Sequence, residues 1–140
     1  MLWYAKRSAV TFLDNHDTAG DLNDRFGSDK HLAQGYAFLL THPGVPCVFW
    51  NDWAGPNRGV IATLAALRAS AGVTRDSLWD VLHAGPGLYS AIIGGRLAVK
   101  LGSKEWSPNM GRARRVWERA ASGDGWAVWA RLPDDPPEGA

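Results

Sequence analysis

A single cysteine, Cys47, stands among 140 residues. No intrachain disulfide is therefore available, and no histidine or second cysteine lies near it at a zinc-ligand spacing. Its expected role is that of a small buried hydrophobe. A surplus of charge is also missing: 15 basic against 14 acidic side chains leave a net charge of +1, without the basic stripe that draws nucleic acid or anionic lipid. No stretch approaches the roughly 18 apolar residues of a membrane span. Residues 1–10 have neither the apolar run nor the small-residue cleavage site of a secretory leader. Neither nucleic acid nor membrane is expected as a partner, and localisation stays open. The length falls short of the about 250 residues that close a parallel α/β barrel. What remains, with 46% hydrophobic residues and 8 Trp, is a globular polypeptide or the end of something larger.

The pattern along the chain changes near Gly72. Ala9–Leu13 (AVTFL) is apolar on both sides, as a parallel strand covered on both faces is, and it ends in the polar stretch DNHDTAGDLNDRFG. Ser28 is a suitable N-cap with Asp29 in the first turn; Leu32, Ala33, Tyr36, Ala37 and Leu40 follow at helical spacing until Pro43 and Gly44 stop the helix. Pro46–Trp50 (PCVFW) predicts a second buried strand, with NDWAGPN as its trailing loop. Asn57 then caps a helix whose Val60, Ile61, Leu64, Leu67, Arg68 and Ala71 share a face, and Gly72 suits the C′ position. Strand, helix, strand, helix implies right-handed crossovers and parallel pairing.

Beyond Gly72 the runs are short and separated by glycine-rich turns: 78–83, 88–93, 96–101, 113–119 and 125–132. These predict an antiparallel meander, with Gly94 and Gly95 as a two-residue hairpin turn and 122–125 (SGDG) as another reversal. The ending PDDPPEGA offers almost nothing to bury, so 133–140 is expected to fray. The domain expectation is thus 1–72, 73–132 and a tail.

Chemistry is expected at the carboxyl ends of parallel strands. There Asp14, Asn15, His16, Asp17 and Thr18 follow AVTFL directly, a set suited to a ligand with many hydroxyls and a developing positive charge. The same residues also make ordinary Asx-turns, and both readings stand at this point. Asp17, Asp21, Asn23 and Asp24 lack the spacing and the distant glutamate of a calcium loop.

The stretches AVTFLDNHDT and SDKHLAQGYAFLLTHPGVPCVFW, taken with LYSAIIGGRLAVKLG and GDGWAVWARL, closely resemble the α-amylase family of glycoside hydrolases, in particular its plant and green-algal type. FLDNHD is similar to the family motif after the seventh barrel strand, and QGYAFLLTHPGVPCVFW to the seventh helix and eighth strand. The resemblance implies the last two βα units of a TIM (β/α)8 barrel followed by a five-stranded antiparallel C-terminal sheet. It implies retaining cleavage of α-1,4-glucosidic bonds in starch by two close carboxylates through an oxocarbenium-like transition state. Asp17 corresponds to the third acid of such enzymes, hydrogen bonding the 2-OH and 3-OH of the distorted sugar. His16 corresponds to a substrate-binding histidine, and Asn15 and Asp14 to the supporting loop.

The nucleophilic Asp and the acid/base Glu of the family lie after earlier strands and have no counterpart here, so the chain alone is expected to be inactive. The missing N-terminal part of the barrel is then its partner. Calcium, in the complete family enzyme, is held mainly by an excursion after the third strand, and no ligand for it is identified in this chain. The loop AGDLNDRFG has Phe26 as its only aromatic where plant members carry a Trp and prolines, and 103–116 matches poorly. Raw strand edges make the isolated chain poorly soluble in expectation. The alternative reading is a non-catalytic glucan-binding module derived from such an enzyme.

Other aromatics carry two readings. Trp53 either faces the cleft or packs. Tyr89 lies where plant α-amylases use a tyrosine in a surface glucan site, or it packs. Trp79, Trp117, Trp126 and Trp129 are expected in the sheet core. His42, just before Pro43, is expected as a cation at a helix end. His31 and His83 have no distinguishing context.

Overall fold

A computed structural model describes residues 9–17, 29–111 and 116–132. The helical spacing around Tyr36 produces α1, Asp29–Thr41, which buries Ala33, Tyr36, Ala37, Leu39 and Leu40. It stops at Thr41 because the residue before a proline, His42, is pushed out of the helical region. Ser28, the expected cap, and Phe26 lie outside the described residues, as do 113–115 and the tail 133–140.

The two apolar runs do pair in parallel, as β1 (Val10–Thr11) and β2 (Val45–Pro46), in the register Val10↔Val45 and Thr11↔Pro46. Both are shorter than expected. Among the described residues this sheet has two strands, so each can hydrogen-bond along one edge only. The chain from Trp50 instead turns into α2, Trp50–Ala54, where a strand end and a loop were expected. Trp50 is 70% exposed, and Cys47 is exposed rather than buried: two strands offer too little surface to cover them.

The second long helix, α3 (Arg58–Ser70), buries Ile61 and Leu64 against α1. Asn57 occupies its N-cap position without a side-chain capping bond. At the other end Gly72 takes φ +64°, with Val73 N–H donating to Arg68 O and Gly72 N–H to Ala69 O, each at 3.1 Å. This is the paired reversal that a C′ glycine permits. Arg68 reaches across to α1, donating to Leu40 O (3.2 Å), His42 O (2.6 Å) and Gly44 O (2.7 Å). Since α1 has no basic residue in its last turn, the neighbouring helix supplies the cation that its unpaired carbonyls favour.

The meander forms as a five-stranded antiparallel sheet of β3 (Trp79–Gly85), β4 (Leu88–Ile93), β5 (Leu97–Leu101), β6 (Trp117–Gly123) and β7 (Trp126–Arg131), in the order β3-β4-β5-β7-β6. Gly94 and Gly95, at φ +57° and +66°, make the two-residue turn between β4 and β5. Within the described part of the expected run 113–119, β6 starts at Trp117, and its approach is braced by Asn109. Its amide donates to Trp117 O at 2.8 Å, and its Oδ1 accepts from Val116 and Trp117 N–H at 3.1 Å.

Alternation along the strands gives the sheet two covered faces. Ala91, Ile93, Leu97, Val99, Trp126 and Val128 pack against α1 and α3 in one core. Ala98, Trp117, Ala127 and Trp129 form a second cluster on the other face, beneath Trp106 and Val116. Trp117, Trp126 and Trp129 are therefore core residues as expected. Trp79 is not: it is 36% exposed on β3, an edge strand exposed along its whole length. No helix among the described residues is long and apolar enough to cross a membrane.

Candidate functional site

The chain leaves β1 into Asp14–Asp17. Asn15 N–H donates to Asp14 Oδ1 (3.2 Å) and Asp17 N–H to Asn15 Oδ1 (2.9 Å). The second bond is an Asx-turn, so the turn chemistry is real. It also has a consequence for the site, because it fixes where Asp17 leaves the backbone. Nε2 of His16 lies 3.3 Å from Oδ1 of Asp17, with side-chain exposures of 86% and 75%. The carboxylate and imidazole thus stand next to one another, open to whatever approaches the strand end. A contact this exposed contributes little stability.

Beyond β2, α2 carries Asp52 within reach of the charge of Asp14. Tyr36, fully buried on α1, donates its hydroxyl to Asp52 Oδ2 at 2.6 Å, and Phe49 N–H donates to the same hydroxyl at 3.4 Å. Burial pushes the Asp52 carboxyl above its ordinary value; the Tyr36 bond opposes this, and the charge of Asp14 adds to it. The Tyr36 phenol is pushed up by its own burial and by Asp52. Tyr36 was read from its spacing as a core residue only. The available signal was its hydroxyl, which needs a partner once buried.

The remaining expected residues sit on other elements. Trp53, on α2, is half-buried against the main core with the Arg58 guanidinium 5.3 Å from its ring centroid. Tyr89, on β4, is half-buried, and its hydroxyl lies 2.7 Å from Nε2 of His42. His42 is 7% exposed and stacked on Phe38 at 3.9 Å. Burial pushes its pKa down to about 4, against the favourable Phe38 carbonyl and with the nearby Arg68 charge. The expected helix-end cation is therefore a neutral imidazole, because the site that brings it near the helix terminus also removes its water. His83, without context in the sequence, bonds Ser90 Oγ through Nδ1 at 2.8 Å.

Among the described residues no group of three or more His, Cys, Asp or Glu side chains is placed to hold a metal ion. They do not offer a calcium cage. An open groove of about 690 Å³ runs along the end of the antiparallel sheet, lined by His31, Gln34, Lys100, Trp106, Arg119 and Asp124 among others. None of its lining residues among those described belongs to 12–17 or 47–57.

Known proteins resemble this chain over most of its length. The family described as "Alpha-amylase C-terminal beta-sheet domain" matches residues 70–130, which span the antiparallel sheet. Probable alpha-amylase 2 of Arabidopsis thaliana is 40% identical over 132 residues, covering 92% of this chain and 31% of the relative. The alpha-amylase type B isozyme of Hordeum vulgare is 40% identical over 134 residues, covering 93% of this chain and 83% of the relative. The crystal structure of an Anoxybacillus α-amylase superposes with a TM-score of 0.63 at 17% identity, over 91% of this chain and 38% of that one, a likeness of fold. The chain thus spans about a third of the Arabidopsis relative it matches. The chain therefore belongs to the α-amylase family and corresponds to its C-terminal portion.

Proposed function

We propose that the chain is the C-terminal part of a retaining endo-hydrolase of α-1,4-glucosidic bonds in starch and related glucans. In this reading 1–72 is the remnant of the catalytic barrel, contributing its last two βα units, and 73–132 is the terminal sheet domain. Asp17 is the transition-state stabiliser. The observation that carries the proposal is the parallel β1–β2 pair with Asp17 exposed directly beyond the carboxyl end of β1, where such folds do their chemistry. As charge develops on the anomeric carbon, a fixed carboxylate that bonds the adjacent hydroxyls gains strength in the transition state. His16 donates to the same sugar, and Asn15 holds the turn that aims both. Trp53 and Tyr89 are assigned as further glucan contacts through their ring surface, the Tyr89 hydroxyl being engaged by His42.

Glycosidic cleavage needs a nucleophile and a proton donor flanking the bond. Asp17 alone stabilises a charge that nothing in this chain creates, so the 140 residues are inactive by themselves. In the complete enzyme, calcium supports the barrel from outside this segment. The test is release of reducing ends from starch by the purified chain and by a graft in which it replaces the matched third of the Arabidopsis relative. The chain gives no release above buffer and the graft gives release. A hydrolysing isolated chain, or a folded but inert graft, overturns the proposal.

A further inference from the structure

Polar bonds hold α1 to the antiparallel sheet at two places, one at mid-helix and one just past its end. At mid-helix, Gln34 Nε2 donates to Asp124 O in the β6–β7 turn at 3.1 Å. Just past its end, His42 meets Tyr89 of β4 at 2.7 Å. The first bond involves no titratable group and the second does.

The protonation of His42 follows from its neighbours. Nδ1 lies 2.8 Å from Phe38 O, an acceptor only, so Nδ1 carries the proton. Nε2 is then a bare lone pair, and Tyr89 donates to it. The ring is 7% exposed, stacked on Phe38, with Tyr89 at 5.6 Å between centroids. The groups that face it are Phe38 and Thr41 from its own segment, Arg68 from α3 and Tyr89 from β4. Tyr89 stays protonated, since burial raises its pKa, and Arg68 already donates to the His42 carbonyl at 2.6 Å. None of these is a carboxylate. A proton added to Nε2 would compel Tyr89 to turn its own hydrogen away, and would bury an imidazolium beside a guanidinium.

We infer that the His42–Tyr89 contact is an acid-released fastening, which lets the β3–β4 side of the sheet part from the helix layer while the β6–β7 side stays attached through Gln34. The joint is closed at neutral pH and loosens as pH falls through the interval between the ordinary histidine value of 6.5 and the folded value of about 4. The fold thereby has a hinge line along α1 that responds to protons at one end.

Hydrogen exchange of the whole chain, read by mass spectrometry in dilute solution and corrected for intrinsic exchange chemistry, tests this. Between pH 6.5 and 4 the opening constant of the β4 amides and of 38–42 rises by about two orders of magnitude, while the β6–β7 turn changes little. In His42→Gln, whose amide oxygen still accepts from Tyr89 but gains no proton, the acid response disappears. In Tyr89→Phe, β4 opens about tenfold more at pH 7 with the β6–β7 turn unmoved. Should His42→Gln fail to fold, the wild type and Tyr89→Phe decide. Equal acid opening on both sides of the sheet, an undiminished response in His42→Gln, or unchanged β4 protection in Tyr89→Phe overturns the inference.

Discussion

Around the parallel pair, Val10, Phe12, Val45 and Trp50 are 59%, 51%, 42% and 70% exposed; in the antiparallel sheet Ala91, Ile93, Leu97, Val99 and Val128 are 0% exposed. The residue types are alike, and the difference lies in how each layer finds its neighbours. Antiparallel strands recruit the next strand through a tight turn, so Gly94–Gly95 and the 122–125 reversal complete a sheet within one short stretch of chain. Parallel strands need a crossover for every neighbour, and a two-stranded parallel sheet has open edges and little to bury. Hence the candidate site, built at the end of β1, sits on the less self-sufficient layer. The helices α1 and α3 belong to both, since their shared face packs on the antiparallel sheet.

Substitutions placed on either side of that contrast test it. Leu97→Ala in the antiparallel layer should cost about 3 kcal/mol in denaturant unfolding, the usual loss at a fully buried leucine. Val10→Ala in the parallel layer should change stability by less than about 0.5 kcal/mol; a cost near that of Leu97→Ala would erase the distinction. Acidification comes next. The folded state keeps His42 neutral to about pH 4, whereas the unfolded chain binds that proton near 6.5. The contribution is thus complete above pH 6.5 and is lost as pH falls toward 4, by at most roughly 3 kcal/mol, and His42→Gln should remove it. Arg68→Met should cost about 2 kcal/mol by leaving the carbonyls of Leu40, His42 and Gly44 without their donor. Smallest in stability but visible in solution behaviour is Trp50→Ser: unfolding shifts by under about 0.5 kcal/mol while self-association of the chain falls. A wild-type chain that stays monomeric with a sharp cooperative melt would show that the parallel layer needs no further cover.

The local chemistry of the fold was open to a reader of the sequence wherever a residue type has one use. Paired glycines between β-rich runs can only be a tight hairpin, Gly72 after a helical face is a C′ residue, and β4 occupies the 88–93 run as expected. What failed depended on neighbours distant in sequence. Cys47 and Trp50 are apolar enough to suggest a buried strand, but burial requires a covering layer, and no spacing reports whether one exists. His42 was placed correctly at the end of α1, yet its charge was misjudged because desolvation by Phe38 and Tyr89 outweighs the helix terminus. For the site, the clustering of Asn15, His16 and Asp17 was legible because they are adjacent in the chain. The Tyr36–Asp52 bond was not, since it joins residues 16 apart whose types each have an ordinary alternative.

Asp17 is proposed to stabilise the transition state of a reaction whose other carboxylates lie outside this segment. Steady-state kinetics of Asp17→Asn in the active graft decide it. A fall in kcat of at least about a hundredfold, with an unchanged melt, is predicted; a graft that hydrolyses starch at the same rate with either residue contradicts it.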